Sequence, residues 1–359
     1  MSVLSMSMEK EKKAELASLL KFLPPVEFCC VYGSALHPNN YNKSTMVDYI
    51  LGVSDPMQWH SQITQVADEI GVGVHFNPFV SVNDEMFKYG VVRMHDLVED
   101  VLNWETFYLS GRLQNLVRCG SFPNHISRTT TTGELLLRSR KCRVRTSEIQ
   151  IYHIRNKVQV LVDNLDIGNL NSVNLKGAIS AALLLLPAKF TEEHLYAKIC
   201  SLSYMGDLRM LFAEDRNKVK KIVQVQFDLF QTMYKPLLEE YGAKGLLRFS
   251  SSDGHQAIIS QDCGLSVARS LVSSLPSKVR SQMGMKLGEK TKLSESGRVL
   301  REVVVGSREE AAECMRGVLR RKVMVSSARQ AVSGLVAVGG VNAIRYLANK
   351  MEKAWKSWT

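Results

Sequence analysis

Short apolar runs separated by polar loops fill the N-terminal part of the chain. Residues 26–32, 46–53 and 74–80 each predict a strand, and the third follows a turn that contains two glycines. A further short strand, KYGVV, precedes a predicted helix. The apolar face of that helix is formed by Leu97, Val101, Leu102 and Trp104. These elements predict a mixed sheet with helices on its faces.

From about residue 158 the pattern becomes helical. The segment NLKGAISAALLLLP predicts a buried helix that ends near Pro187, and TEEHLYAKICSL starts with a threonine cap and two glutamates, as helices often do. The segment that starts AEDRNKVKK predicts a long amphipathic helix. Residues 247–297 are rich in serine and weakly periodic, which predicts a linker or a loose surface.

The length and composition of the chain indicate which classes of protein it can belong to. A chain of 359 residues that is 45% hydrophobic is long enough for two domains with cores. Its seven cysteines are scattered and form no CxxC pair, which argues against a zinc site or a disulfide framework and favours a reducing compartment. Since no charge-free run of 18 apolar residues occurs, a membrane-spanning helix is not expected.

The net charge of +11 is concentrated in two segments. Residues 278–359 hold 17 Lys or Arg against 7 Asp or Glu, and residues 115–156 hold 8 against 2. Such basic segments predict an anionic partner, either nucleic acid or an anionic membrane surface. No zinc finger or RNA-binding signature accompanies them, which weakens the nucleic-acid alternative.

The stretch FCCVYGSALHPNNYNKSTMVDYILGV carries the candidate chemistry. One strand ends in Gly33-Ser34, a polar loop follows, and the next strand contains a single acid, Asp48. Nucleotidyltransferases of the polymerase-beta type are built this way: the backbone after the glycine holds a triphosphate, and the strand carboxylate holds Mg²⁺. The usual Asp-x-Asp is reduced here to one acid, so the pattern alone also fits an ordinary turn and a structural carboxylate.

A larger set of motifs gives a more specific indication. In order, the chain contains VYGSALHP, MVDYILGVSDPMQWH, GVGVHFNPF, KYGVV, WETFYLSGRLQ, ALLLLP, SLSYMGDLRM and AEDRNKV, spread over residues 26–235. Together they resemble the Tam41/MMP37 family of mitochondrial phosphatidate cytidylyltransferases, and the C-terminal part resembles the plant members.

That resemblance implies a transfer of CMP from CTP to phosphatidic acid, giving CDP-diacylglycerol and pyrophosphate for cardiolipin and phosphatidylglycerol synthesis. It also implies dependence on Mg²⁺ and a peripheral position on the matrix side of the mitochondrial inner membrane. The implied fold is α+β: a nucleotidyltransferase-type mixed-sheet domain, then a helical, winged-helix-like domain and a C-terminal amphipathic helix. CTP, phosphatidic acid and an anionic membrane surface are the expected partners, and no nucleic acid is expected.

The resemblance also assigns candidate site residues. Tyr32, Gly33 and Ser34 would bind the nucleotide, and Asp48 would be a catalytic metal ligand. A second carboxylate must come from elsewhere. Asp207 in SYMGDLRM is the favoured choice, whereas Asp55 precedes a proline and also fits a turn-forming role.

Three basic residues are candidate nucleotide contacts: Lys88, Arg209 and Lys218. Arg209 and Lys218 are candidate phosphate clamps. For Lys218 a solvated helix face is an equal alternative, and for Lys88 packing at a strand edge is the favoured one.

The expected organisation has five parts: a nucleotidyltransferase core (1–114), a basic insertion of low order (115–156), a helical domain (157–246), a linker and basic helical region (247–330), and an amphipathic membrane-interface tail (331–359). The insertion and a shortened segment after His60 depart from the family pattern. They leave open a catalytically impaired, membrane-peripheral interaction protein. A nucleic-acid nucleotidyltransferase, which shares the Gly-Ser and Asp core, is the third alternative.

Overall fold

A five-stranded mixed sheet forms the N-terminal body. The computed structural model describes residues 20, 23–32, 47–56, 71–82, 85–116, 159–163, 167–208, 210, 217–252, 255–293 and 299–338. The sheet has the order β3-β4-β2-β1-β5. Its strands are β1 Phe28–Tyr32, β2 Val47–Val53, β3 Val74–Val82, β4 Glu85–Arg93 and β5 Gln159–Asp163. Only the β2–β4 pairing is parallel, so the mixed sheet predicted from the sequence is confirmed.

Alternation along β1 and β2 gives the sheet two apolar faces. Phe28, Cys30 and Ile50 are buried on one face, beneath helices α1 (Met94–Asn103) and α2 (Leu109–Leu116). The intervening residues of these strands pack into a second cluster on the opposite face. Both faces of these central strands are covered, which explains why their sequences are almost continuously apolar.

The strand β5 corrects the predicted domain boundary. It pairs antiparallel with β1, so this part of the segment 157–246 belongs to the first sheet and not to a helical domain. The strand is only five residues long and lies far along the chain from its partner. A pairing between such distant segments leaves no local signal in the sequence.

A helical body follows the sheet. It contains α3 (Ile167–Leu185), the short strand β6 (Lys189–Thr191), α4 (Glu192–Leu202) and α5 (Lys218–Ala243). The predicted buried helix before Pro187 is confirmed by α3. The predicted threonine cap is also confirmed, because the hydroxyl of Thr191 accepts a hydrogen bond from the His194 amide at 3.3 Å. The long amphipathic helix is confirmed by α5, which has a kink at Gln226.

The predicted linker over 247–297 is wrong. This region contains β7 (Leu247–Ser252), β8 (His255–Gln261), α6 (Leu265–Ser273), α7 (Ser277–Leu287) and β9 (Glu289–Leu293). Strands β6, β8 and β7 form a three-stranded sheet, and β9 pairs with β10 (Val299–Val303). The serines lie mostly at exposed positions, whereas apolar side chains at helical spacing enter the core, namely Ala268, Leu271, Val272, Val279 and Met283.

The last described helix is α8 (Arg308–Val338). It passes through residue 331 without a break, so the predicted start of the tail lies inside this helix. Residues 339–359, most of the predicted insertion and the segment after His60 lie outside the described residues. Within the described part of the chain, no helix is both long enough and apolar enough to cross a membrane.

Candidate active site

The antiparallel pairing of β1 and β2 places Tyr32 directly opposite Asp48. On the other side of β2, the parallel partner of Asp48 is Lys88 on β4. The Lys88 ammonium nitrogen lies 3.7 Å from Asp48 Oδ1, and the two side chains are 25% and 26% exposed. Three polar side chains therefore meet at one end of the sheet, where β1 runs on into Gly33-Ser34.

The location of Asp48 explains how an apolar strand accommodates an acid. It is the second residue of β2, at the end of the strand, and its side chain keeps contact with solvent. The nearby ammonium group of Lys88 offsets part of its charge. Lys88 in turn packs with its nitrogen 4.7 Å from the centroid of the Phe76 ring. Strand packing and an ionic contact thus coexist at Lys88.

Tyr32 is held as a neutral phenol. Burial raises the pKa of the Tyr32 hydroxyl well above its usual value, and the negative charge of Asp48 adds to this effect. The positive charge of Arg112 acts in the opposite direction. Because the net shift is upward, the hydroxyl stays protonated at neutral pH.

Arg112 is the functional candidate that the sequence reasoning missed. It lies on α2, and together with Tyr32 and Ile50 it lines a small cavity beside the sheet. Its guanidinium carbon lies 3.7 Å from the centroid of the Tyr108 ring, and one N–H donates to the Tyr108 carbonyl oxygen. One feature of the sequence could have identified this residue, because Arg112 is the only charged residue in the segment LSGRLQNL.

The start of α2 is fixed by Asp100. The carboxylate of this buried residue accepts hydrogen bonds from the amides of Phe107, Leu109 and Ser110 at 2.7 to 3.0 Å. It also accepts bonds from the amide and hydroxyl of Thr106. These bonds satisfy amides at the helix start that have no partner within the helix, and a negative charge is favourable there.

The predicted carboxylate Asp207 lies in the turn after α4 and is buried. The adjacent Leu208 amide donates to Ser327 Oγ on α8 at 3.2 Å. Lys218, at the start of α5, has its nitrogen 5.3 Å from the centroid of the Tyr204 ring in the same turn. The structure therefore brings Asp207 and Lys218 to one turn, while Asp48 and Lys88 lie at the end of the sheet.

Helix α2 connects these two groups. Asn115 Nδ2 donates to Ser203 Oγ at 3.2 Å, and Gly111 packs against the same serine. A Cβ atom at Gly111 would lie 2.6 Å from Ser203 Cβ, so only glycine permits this approach. The helix that carries Arg112 beside Tyr32 thus also contacts the turn that precedes Asp207.

The predicted metal ligand Asp55 is not brought to this end of the sheet. Asp55 follows the far end of β2, seven residues from Asp48, which corresponds to about 20 Å along a strand. The two carboxylates are too far apart to share an ion. Gly33, Ser34 and Arg209 lie outside the described residues.

The donor set at Asp48 is suited to a hard cation. Among the described residues, no group of three or more His, Cys, Asp or Glu side chains is arranged to hold a metal ion. Mg²⁺ does not need three protein ligands, because one or two carboxylates together with substrate phosphates and water commonly complete its coordination. The partly exposed carboxylate of Asp48 meets that requirement.

The chain is similar to one known protein family over most of its length. The family described as mitochondrial phosphatidate cytidylyltransferase, Tam41/Mmp37, matches residues 16–63, 61–129 and 153–353. A protein of that name from Danio rerio is 27% identical over 354 residues, covering 91% of this chain and 90% of the relative. The Mus musculus protein is 24% identical over 95% of this chain and 94% of its own length. The Saccharomyces cerevisiae protein is 31% identical over 65% of this chain and 57% of its own length.

Proposed function

Because this chain belongs to the Tam41/Mmp37 family of mitochondrial phosphatidate cytidylyltransferases, we propose that it transfers CMP from CTP to phosphatidic acid. An oxygen of the lipid phosphate attacks the α-phosphorus of CTP, and the bond from that phosphorus to the β-phosphate oxygen breaks. The products are CDP-diacylglycerol and pyrophosphate.

One observation carries the chemical assignment. Tyr32 and Asp48 are paired residues at the point where β1 continues into Gly33-Ser34. This pairing supports a site in which the glycine-serine backbone holds the triphosphate of CTP and the carboxylate lies beside it. Lys88 supplies a positive charge at the same end of the sheet.

The phosphate nucleophile does not need a general base from the protein. A phosphate monoester has a second pKa near 6, so its oxygen is largely ionised at neutral pH. No side chain is then required to remove a proton from it. Catalysis rests on positioning the two substrates and on neutralising the charge that develops on the phosphates.

Asp48 is the proposed ligand for Mg²⁺. When bound, this ion neutralises negative charge on the phosphates during the transfer. Asp48 offers the carboxylate at the strand end, and Lys88, 3.7 Å from it, orients that carboxylate through an ionic contact.

The turn after α4 is proposed as the second part of the site. Asp207 is the favoured second carboxylate, and its neighbour Arg209 and the more distant Lys218 are the proposed phosphate clamps. The support is the contact of α2 with both this turn and the sheet end, through Ser203 on one side and Tyr32 on the other. Arg and Lys at such a position would neutralise the pyrophosphate as it leaves.

The finer organisation is also part of the proposal. The five-stranded sheet is the nucleotidyltransferase-type domain, and the helices with the β6-β8-β7 sheet form the winged-helix-like domain.

The names of the relatives support a mitochondrial protein. We place it at the matrix side of the inner membrane, held peripherally by the basic tail on an anionic surface, with its product used for cardiolipin and phosphatidylglycerol.

The proposal is tested with the purified full chain, radiolabelled CTP, Mg²⁺ and vesicles that contain phosphatidic acid. CDP-diacylglycerol and pyrophosphate should appear in equal amounts, and vesicles with diacylglycerol in place of phosphatidic acid should give no product. Absence of product from phosphatidic acid would favour a non-catalytic interaction protein. Extension of an RNA primer instead would favour a nucleic-acid nucleotidyltransferase.

A further inference from the structure

Arg112 is a partly buried cation on α2. Among the described residues it forms no salt bridge, and its contacts are the ring and the carbonyl oxygen of Tyr108. A guanidinium group has five N–H donors, and only one is used in the hydrogen bond to Tyr108. Several donors are therefore left for a further acceptor.

The helix that carries Arg112 is held from several sides. Asp100 fixes its first turn, as described above. Asn174 on α3 accepts from Gln114 Nε2 at 2.7 Å and donates to the Ser110 carbonyl oxygen at 3.0 Å. The Tyr234 hydroxyl donates to the Gln114 carbonyl oxygen at 2.9 Å. A helix anchored by so many buried hydrogen bonds presents the backbone of Arg112 in one position.

That position is beside the sheet end. Arg112 and Tyr32 line the same small, largely apolar cavity, and the positive charge of Arg112 acts on the Tyr32 hydroxyl. Tyr32 is paired with Asp48. Two cations, Arg112 and Lys88, thus accompany one described carboxylate, Asp48, at the point where the chain enters Gly33-Ser34. The local excess of positive charge suits an anion, and a planar guanidinium matches a phosphate by two parallel hydrogen bonds.

We infer that Arg112 binds a phosphate group of a substrate at this end of the sheet. The inference rests on the proposed function and adds a residue to its site. The phosphate has two possible sources, the triphosphate of CTP and the phosphomonoester of phosphatidic acid. The position of Arg112 beside Tyr32, the strand partner of the proposed Mg²⁺ ligand Asp48, favours CTP. Mg²⁺ is commonly bound by one or two carboxylates together with substrate phosphates.

The experiment compares Arg112→Gln and Arg112→Lys with Arg301→Gln in the full chain. Arg301 is a matched control because it lies on the exposed hairpin β9–β10, 78% exposed and 3.8 Å from Glu289. Equilibrium binding of CTP and CMP is measured with Mg²⁺, and KM is measured for CTP and for soluble dioctanoyl phosphatidic acid. Circular dichroism and thermal unfolding establish that each variant is folded.

Loss of a charge-assisted bidentate contact should weaken CTP binding about 10- to 100-fold in Arg112→Gln. Arg112→Lys keeps the positive charge but cannot form the two parallel hydrogen bonds. Its affinity for CTP should lie between that of Arg112→Gln and that of the wild type. CMP binding should change much less, and Arg301→Gln should behave as wild type. If KM for the soluble phosphatidic acid rises and CTP binding does not change, the lipid phosphate is the ligand of Arg112.

Unchanged binding and unchanged KM for both substrates in folded Arg112→Gln would overturn the inference while leaving the reaction in place. A wild-type chain that makes no product, yet binds CTP in an Arg112-dependent way, would overturn the reaction and support the inference. A wild-type chain that neither makes product nor binds CTP would overturn both.

Discussion

Tyr32 and Asp48 are directly paired residues of the antiparallel strands β1 and β2. Since Tyr32 is the last residue of its strand and Asp48 the second of the next, the chain leaves β1 and enters β2 beside this carboxylate. The sheet therefore brings the end of the first motif and the acid of the second together.

Replacing Asp48 by Asn should remove at least about 99% of CTP turnover, because a metal ligand is lost while the size of the side chain is kept. Turnover is measured on phosphatidic acid vesicles, and folding by circular dichroism. Asp55→Asn is the matched control, since Asp55 follows the opposite end of the same strand, and it should retain activity. Full activity in Asp48→Asn would show that the metal assignment is wrong.

Replacing Asp100 by Ala should lower the free energy of unfolding by about 3 kcal/mol, because buried amides at the start of α2 lose their acceptor. Chemical denaturation of the purified chain measures the change. Asp228→Ala, at an exposed position in the middle of α5, is the control and should not lower the stability. Equal effects of the two substitutions would contradict a special role for the Asp100 cap.

Replacing Gly111 by Ala should push α2 away from Ser203, because the added Cβ would lie 2.6 Å from the serine Cβ. We expect a loss of about 1 to 3 kcal/mol in stability and a lower turnover. Gly334→Ala on α8 is the control, since no atom lies within 4 Å of a Cβ there, and it should be neutral or slightly stabilising. Thermal unfolding and the vesicle assay report both effects. Wild-type values in Gly111→Ala would mean that the close approach is not required.

The buried thiols should resist alkylation. Burial raises the pKa of Cys30 and of Cys200 to about 12, whereas Cys263 is exposed. At pH 8 a thiol with that pKa is ionised in about one molecule in ten thousand, and only the thiolate reacts. Mass spectrometry after iodoacetamide treatment should show Cys263 labelled in the native chain and the other two labelled only after urea. Fast labelling of Cys30 in the native chain would contradict its burial.

Removal of the chain after Val338 should release the protein from vesicles that contain phosphatidic acid or cardiolipin. In the segment 339–359 the residues Val341, Ile344, Leu347, Met351, Trp355 and Trp358 recur at helical spacing, with lysines beside them. Each basic residue near an anionic surface contributes about 1 kcal/mol. The readout is co-sedimentation at low and moderate salt.

A second variant tests the charges of this segment alone. Replacing Lys350, Lys353 and Lys356 by Gln should weaken vesicle binding and reduce its dependence on salt. Co-sedimentation that is unchanged by truncation would instead favour a terminal helix packed on the protein, with its apolar stripe buried.

The sequence predicted those elements whose signal is local. The strands that contain Cys30 and Ile50, the buried helix before Pro187 and the cap at Thr191 all follow from patterns within a few residues. It also singled out Asp48, an acid in an apolar strand, and its role as a metal ligand stays a prediction. It did not predict β5, because a five-residue strand has no periodicity long enough to reveal its partner.

Arg112 was missed for a related reason. Its proposed role depends on Tyr32, a neighbour that is distant in the sequence and that the fold brings beside it. The prediction of a linker over 247–297 was wrong because this serine-rich region also contains buried apolar residues, such as Leu271 and Met283, at helical spacing.

The position of β5 also constrains how the chain reaches its native state. The inner strand β1 has β2 on one side and β5 on the other, and β5 ends at Asp163. Until the ribosome has released that residue, the outer edge of β1 exposes unpaired amides and carbonyls. Such an edge is a template for pairing between nascent chains. A fragment that stops at residue 114 should therefore associate with itself, and the sheet should close only after synthesis has passed β5.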